Sequence, residues 1–287
     1  MKTIYDIGNL RWQRPAAPAW PDKALGWSSK GLVAIVWISS AIFAAFILAL
    51  YVGGAAAGTY QDWNDGFPGL YAPKSVAANI GIGLHFGFGA VLLLLGPVQL
   101  IAGVRDRYPA LHRWTGRVYA AAAFVTGIGG LAYIALRGTV GGPVMSVGFA
   151  LYGIFMAVAA EETVRHAMAR RMVQHRAWAI RLFALAIGSW LYRMDYGFWR
   201  LLTGGAGHTK TFNGWFDMIM VFWFYLPNLA VAEIFIRGRQ GGASSSAKVA
   251  ASAAIGAAAI CLLLATTMIT LLGWGPAILW RFGLIDG

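Results

Sequence analysis

Stretches of about twenty apolar residues, the length that crosses a bilayer as a helix, recur along the chain between short polar segments. They lack the alternation of apolar and polar residues that is typical of a membrane β-strand. The pattern therefore predicts an all-α, polytopic membrane helix bundle of about seven transmembrane helices. The predicted spans are Leu32–Gly53, Ala77–Gly103, Gly116–Leu136, Pro143–Ala160, Ala177–Tyr196, Trp215–Ile236 and Val249–Leu272.

The composition agrees with a protein dissolved in lipid. Of the 287 residues, 59% are hydrophobic and 12% are charged, whereas soluble proteins carry about 25% charged residues. The net charge of +12 lies in loops and at span ends, so it predicts contact with anionic lipid headgroups rather than with nucleic acid. The single cysteine, Cys261, excludes an intramolecular disulfide.

The distribution of Lys and Arg predicts the orientation and the organisation of the chain. Basic residues concentrate in the N-terminal tail and in residues 105–117, 165–181 and 237–248, and basic-poor connections alternate with them. By the positive-inside rule, the N-terminus lies in the cytoplasm and the C-terminus outside. We expect a cytoplasmic interfacial tail (1–31), a core bundle (32–236), a flexible basic link (237–248) and a peripheral last helix with an external C-terminus (249–287).

His85 is an ionisable residue within a predicted span, which makes it a candidate functional group. Gly81 and Gly89 lie four residues before and after it, so the three residues share one helix face and form a groove. The groove suits the close approach of a neighbouring helix, or a haem whose iron is bound by the imidazole. Proton transfer is a third role open to His85.

His112 and His175 begin two spans on the cytoplasmic side in similar segments. Each is followed by an arginine, Arg113 or Arg176, and then by a tryptophan and a further arginine. If the two helices enter side by side, the histidines are candidates to ligate haem b as a pair or to contact a quinone headgroup, with the arginines stabilising anionic groups. The alternative is that both segments cap helices and anchor the interface to lipid phosphate.

The remaining charges within spans need partners. Arg181 lies about one turn inside the bilayer, and Glu233 at the inner end of the sixth span is its expected structural ion-pair partner. Arg193 is expected either to pair with Asp195 or Asp217 or to anchor the interface. His208 lies in a glycine-rich outer loop, where the sequence indicates no role for it.

Several segments together resemble a family. Leu94–Gln99, Leu111–Tyr119, His175–Arg181 and Asn228–Glu233 are similar to the bacterial predicted membrane proteins grouped as domain of unknown function 2306, over residues 80–236. The resemblance implies a multi-pass protein of the bacterial inner membrane. It implies no activity.

Two function hypotheses remain. The histidines on three spans favour an electron-transfer protein that binds haem b or a quinone. The alternative is a non-catalytic accessory or structural subunit of a larger membrane complex. The sequence shows no internal repeat and no paired interrupted helices, which disfavours a small-molecule transporter. It contains no recognisable motif for hydrolysis or phosphate binding.

Overall fold

The computed structural model describes residues 20–238 and 244–285, and every regular element in these ranges is helical. This confirms the all-α fold class. The first helices are α1 (Trp20–Ile47, continued by a π-helical turn at Leu48–Val52 and by Gly53–Ala56), α2 (Val76–Leu100), α3 (Ala102–Arg107), α4 (Pro109–Arg137) and α5 (Gly142–Met168). They are followed by α6 (Met172–Ala186), α7 (Gly188–Thr203), α8 (Trp215–Trp223), α9 (Leu226–Gly238), α10 (Ser245–Ile269, continued by a π-helical turn at Thr270–Trp274) and α11 (Gly275–Arg281).

Within the described ranges, six helical stretches are long and apolar enough to cross a membrane. They are Trp20–Ala56, Val76–Leu100, Pro109–Arg137, Gly142–Met168, Trp215–Glu233 and Ser245–Arg281. The predicted fifth span, Ala177–Tyr196, falls on α6 and α7, which separate at Ile187. The seventh crossing and the orientation therefore stay predictions.

We call the end of the bundle where α1 leads into α2 the outer end, and the opposite end the inner end.

The ends of the outermost spans differ from the predicted ones. Within the described residues, helix α1 already includes Trp20 and Pro21, which lie in the predicted tail. Helix α10 begins at Ser245, because the hydroxyl of Ser244 accepts a hydrogen bond from the amide of Ala247. The rest of the predicted tail (1–19) and the centre of the predicted link (239–243) lie outside the described residues.

Two interrupted helices, which are consecutive in the chain, lie side by side. One break is at Ile187, and the other separates α8 from α9 just before Pro227, which has no amide hydrogen to donate. The side chain of Asn228 donates to the carbonyl of Phe224 at 2.6 Å, which satisfies a group that the second break exposes. A Cβ placed on Gly188 would lie 3.3 Å from the ring of Phe224, so the two breaks are in contact.

Glycines bring the backbones of α2, α4 and α5 together. A Cβ added to Gly129 of α4 would lie 2.6 Å from the carbonyl oxygen of Gly81 of α2. A Cβ added to Gly127 would lie 2.9 Å from the carbonyl oxygen of Gly153 of α5. In lipid, such small-residue contacts let helices associate through backbone packing.

Helix α10 is peripheral but is tied to the bundle by polar contacts. In its most apolar 18 consecutive residues, 17% are buried, compared with 39–44% in the other five membrane-length stretches. The hydroxyl of Thr266 donates to the hydroxyl of Ser39 in α1 at 2.8 Å, and the indole of Trp190 in α7 donates to the same oxygen at 2.7 Å. Three helices that are distant in the sequence therefore share one buried hydrogen-bond centre.

The glycine contact between α2 and α4 yields a stability prediction. We expect Gly129→Ala to lower the free energy of unfolding by about 1–3 kcal/mol, because the new methyl group overlaps a backbone carbonyl that cannot move aside easily. Gly89→Ala is the matched control in α2, since a Cβ there meets nothing within 4 Å. Thermal unfolding of both variants in the same detergent measures the difference. Equal melting temperatures would contradict the glycine-packing account.

Candidate functional site

His85 in α2 is held in one tautomer by a neighbouring backbone. Its Nδ1 lies 2.9 Å from the carbonyl oxygen of Thr126 in α4. A carbonyl only accepts hydrogen bonds, so Nδ1 carries the proton and donates it, and in the neutral ring Nε2 is left as an acceptor. Within the described part of the chain, Nε2 has no hydrogen-bond partner.

His85 lines a cavity of about 130 Å³ between α2, α4, α5 and α7. Most of the wall is apolar, and it includes the aromatic and thioether side chains of Phe86, Met145, Phe149, Met156 and Phe224. The polar groups of the wall include His85, Thr126, Ser189, Tyr192 and Arg193. A smaller space of about 30 Å³ adjoins His85, Thr126, Ser189, Arg193 and Gly89. We call the two spaces together the His85 cavity.

Arg193 is the only basic residue besides His85 among those that line the His85 cavity. Its Nη1 makes a long contact of 3.5 Å with the carbonyl of Ser189, and its Cζ lies 5.1 Å from the ring centre of Phe43. No carboxylate among the described residues forms an ion pair with it, so the expected pair with Asp195 or Asp217 is wrong. A guanidinium in this position can donate to an oxygen of a bound molecule.

Thr126 contributes a hydroxyl that sequence reasoning missed. The side chain is 4% exposed and lines both parts of the His85 cavity. Its Oγ1 is buried without a hydrogen-bond partner in the described residues. Leaving such a group unpaired costs about 1–3 kcal/mol, so it is a strong candidate for bonding to water or a ligand.

The two glycines flanking His85 have different surroundings. Gly81 packs against the backbone of α4, as plain helix packing requires. Gly89 has nothing within 4 Å of a built Cβ and borders the small part of the His85 cavity. The Gly81 end of the groove therefore packs against α4, and the Gly89 end borders the small part of the His85 cavity.

His112 and His175 lie near each other at the inner end. The two imidazoles are within range of electrostatic interaction, and Nδ1 of His175 lies 2.9 Å from the carbonyl oxygen of Thr163. Nδ1 of His112 is buried and has no partner in the described ranges. Neither histidine lines the His85 cavity. The side chains of Arg113 and Arg176 are exposed.

His85 is far from this inner pair. Helix α2 rises about 21 Å from His85 to Gln99, and the Gln99 side chain bonds the hydroxyl of Thr115, one turn from His112, at 2.6 Å. The structure thus brings His112 and His175 together and places His85 elsewhere. In the described residues, no group of three or more His, Cys, Asp or Glu side chains could hold a metal ion.

Arg181 and Glu233 form the ion pair that the sequence indicates. Nη2 of Arg181 lies 2.7 Å from Oε2 of Glu233, and Nε lies 3.1 Å from the same oxygen. The guanidinium also stacks 4.8 Å from the ring centre of Trp178. The pair joins α6 to α9 below the two helix breaks.

The comparison with protein families gives the classification. The model of a family described as "Predicted membrane protein (DUF2306)" matches residues 82–236, more than half of the chain. The chain belongs to the DUF2306 family. The match includes His85, Thr126 and Arg193, and it leaves α10 outside. Neither the curated proteins nor the solved structures include one that matches this chain.

The outer end of the DUF2306 segment is organised by Asp217, which is fully buried. One carboxylate oxygen accepts from the hydroxyl of Tyr196 at 2.6 Å and lies 2.7 Å from Nδ1 of His208. The other accepts from the amides of Thr209 and Gly214, each at 3.0 Å. His208, to which the sequence assigned no role, therefore fixes the outer loop.

The hydrogen bonds of Asp217 predict that replacing one of its carboxylate oxygens by nitrogen destabilises the protein. We expect Asp217→Asn to lower the free energy of unfolding by about 1–3 kcal/mol, because an amide nitrogen would face groups that donate hydrogen bonds. Asp106→Asn is the control, since Asp106 is exposed and bonded only to the neighbouring Arg105. Thermal unfolding in detergent compares the two variants. An Asp217→Asn protein as stable as the control would refute this role for the carboxylate.

Proposed function

We propose that this DUF2306 protein binds a quinone-type headgroup in the His85 cavity, as part of membrane electron transfer. The observation that carries the proposal is that His85 and Arg193 line the same cavity. In the described residues, Nε2 of His85 has no hydrogen-bond partner and Arg193 has no carboxylate partner. The cavity lies within an apolar bundle, which suits a ligand that arrives through lipid.

The size of the cavity favours a quinone ring over a haem. Its volume of about 130 Å³ is close to that of an engineered protein cavity of about 150 Å³ that binds benzene. A single six-membered ring fits this space, and a tetrapyrrole is several times larger. Of the two cofactors considered, haem b and a quinone, we therefore assign the quinone to the His85 cavity and no haem to His85.

The lining groups match the chemistry of a quinone. Its two carbonyl oxygens accept hydrogen bonds, which the guanidinium of Arg193 and the hydroxyl of Thr126 can donate. A charge-assisted bond from Arg193 also stabilises an anionic semiquinone. The free Nε2 of His85 can accept a hydrogen bond from the hydroxyl of a quinol. The surrounding aromatic rings offer stacking surfaces to the ligand ring.

We expect Arg193→Gln to weaken binding of a short-chain ubiquinone analogue by about tenfold or more, because a hydrogen bond to a charged group contributes about 1.5–3 kcal/mol and 1.4 kcal/mol corresponds to a factor of ten in affinity. We expect His85→Ala to weaken binding of the corresponding quinol, whose hydroxyl would lose its acceptor at a cost of about 1–3 kcal/mol, and to leave binding of the oxidised analogue nearly unchanged. Arg200→Gln is the matched control, since Arg200 is exposed on the same helix, α7. Titration of the wild-type protein and the three variants by quenching of tryptophan fluorescence measures the dissociation constants.

Two outcomes would contradict the proposal. One is a wild-type protein that shows no saturable quinone binding, which would favour the accessory-subunit hypothesis. The other is a b-type haem band in the reduced-minus-oxidised spectrum that disappears in His112→Ala and His175→Ala proteins. That result would transfer the redox role to the inner histidine pair.

A second candidate function is transport of a small apolar molecule that carries a carbonyl or anionic group. The specific observation that favours it is the contact between the two helix breaks beside the same cavity, at Ile187 and at Phe224. Flux of a bound quinone analogue across proteoliposomes distinguishes the two functions. Net movement of the analogue supports transport, and saturable binding without movement supports the quinone site alone.

A further inference from the structure

Polar residues recur at intervals of seven along one helix. His112, Tyr119, Thr126 and Tyr133 all belong to α4. Seven residues make almost two turns of an α-helix, so the four side chains share one face at steps of about 10.5 Å. We call this set the α4 stripe. It extends from the inner end of the bundle to the outer loop, where the hydroxyl of Tyr133 donates to the carbonyl of Gly69 at 3.1 Å.

Three members of the α4 stripe have buried polar atoms without partners. These are Nδ1 of His112, the hydroxyl of Tyr119 and Oγ1 of Thr126, each unpaired within the ranges that the structure describes. Tyr119 is 5% exposed and Thr126 is 4% exposed. Buried polar groups in proteins are almost always bonded to protein or to internal water. Each of these three atoms is therefore a position at which an internal water molecule can bond.

The α4 stripe connects the inner end to the His85 cavity. His112 lies within electrostatic range of Arg105 and Asp106, whose side chains are exposed. Further along, Tyr119 belongs to the same buried cluster as Tyr152, which lines both parts of the cavity. Thr126 lines the cavity itself, and its carbonyl holds the imidazole of His85.

We infer that the α4 stripe is a proton route between the water at the inner end and the His85 cavity. The inference rests on the proposed quinone site, because a quinone gains or loses protons whenever its redox state changes. An imidazole, a hydroxyl or a water molecule accepts a proton on one side while it donates another on the other side. A proton enters the route at one end and another leaves it at the opposite end; at each group one N–H or O–H bond forms as another breaks, and no electrons are transferred.

The test uses the full-length protein in proteoliposomes, inserted with the His112 end facing the mixing solution. The probe is hydroxybenzoquinone, a single-ring quinone whose visible absorption changes when its hydroxyl group ionises. After a rapid pH jump outside vesicles with a strongly buffered interior, the absorption of the bound hydroxybenzoquinone reports the arrival of protons in the cavity. We expect Tyr119→Phe to slow this change by about tenfold or more without altering the dissociation constant.

Tyr225→Phe is the matched control. Tyr225 is fully buried, its hydroxyl also lacks a partner in the described residues, and its ring lies 5.5 Å from that of Tyr152. It belongs to the turn between α8 and α9 and is not a member of the α4 stripe. It lines neither part of the cavity. We expect its rate to equal that of the wild type, because removing this hydroxyl leaves the route intact.

Each outcome decides the inference. Slowing in Tyr119→Phe alone supports the route. Bound hydroxybenzoquinone that responds at the same rate in all three proteins overturns the route and leaves the quinone site standing. Equal slowing in both variants also overturns it, since the effect would then be a general one of losing a buried hydroxyl. A wild-type protein that binds no hydroxybenzoquinone overturns the proposed quinone site and the route with it.

Discussion

The close approach of α2 to α4 is the constraint on which the rest of the site depends. It requires glycine at Gly81 and Gly129, where backbone meets backbone. It also requires Gly130, because a Cβ there would lie 2.9 Å from Nδ1 of His85. Only at this separation can His85 reach the carbonyl of Thr126. This contact between two backbones therefore sets the tautomer of His85, the shape of the His85 cavity and the position of the α4 stripe.

The parts of the structure that the sequence predicts are those set by hydropathy and by the cost of an unpaired charge. Apolar stretches of helix length specify the fold class, because lipid leaves the backbone few alternatives. The partner of Arg181 could be named because Glu233 is an acid at the same depth in another predicted span. Gly81 could be assigned to a packing face because four-residue spacing fixes which side chains align.

The parts that could not be predicted depend on where helices bend and on which faces meet. The break at Ile187 contains no proline, and the contact between Gly188 and Phe224 that accompanies it is a tertiary one. Arg193 was expected either to pair with an acid or to anchor the interface, but it lines the His85 cavity, and Asp217 accepts hydrogen bonds from donors of the outer loop. Thr126 lies in no motif that the sequence makes recognisable. Its spacing of seven residues from Tyr119 is the feature that could have marked it as part of a polar helix face.

The hydrogen bonds that Ser39 makes have a consequence for the biogenesis of this protein. Ser39 belongs to α1, which precedes the DUF2306 segment, and its partner Thr266 belongs to α10, which follows that segment. Until α10 is synthesised, α1 lacks one of the helices that it packs against. Phe43, which lies one turn from Ser39, contributes to the wall beside Arg193. The His85 cavity is therefore completed late in synthesis, so a chain that stops before α10 would hold every polar residue of the cavity but would lack a helix that supports the Phe43 side of its wall.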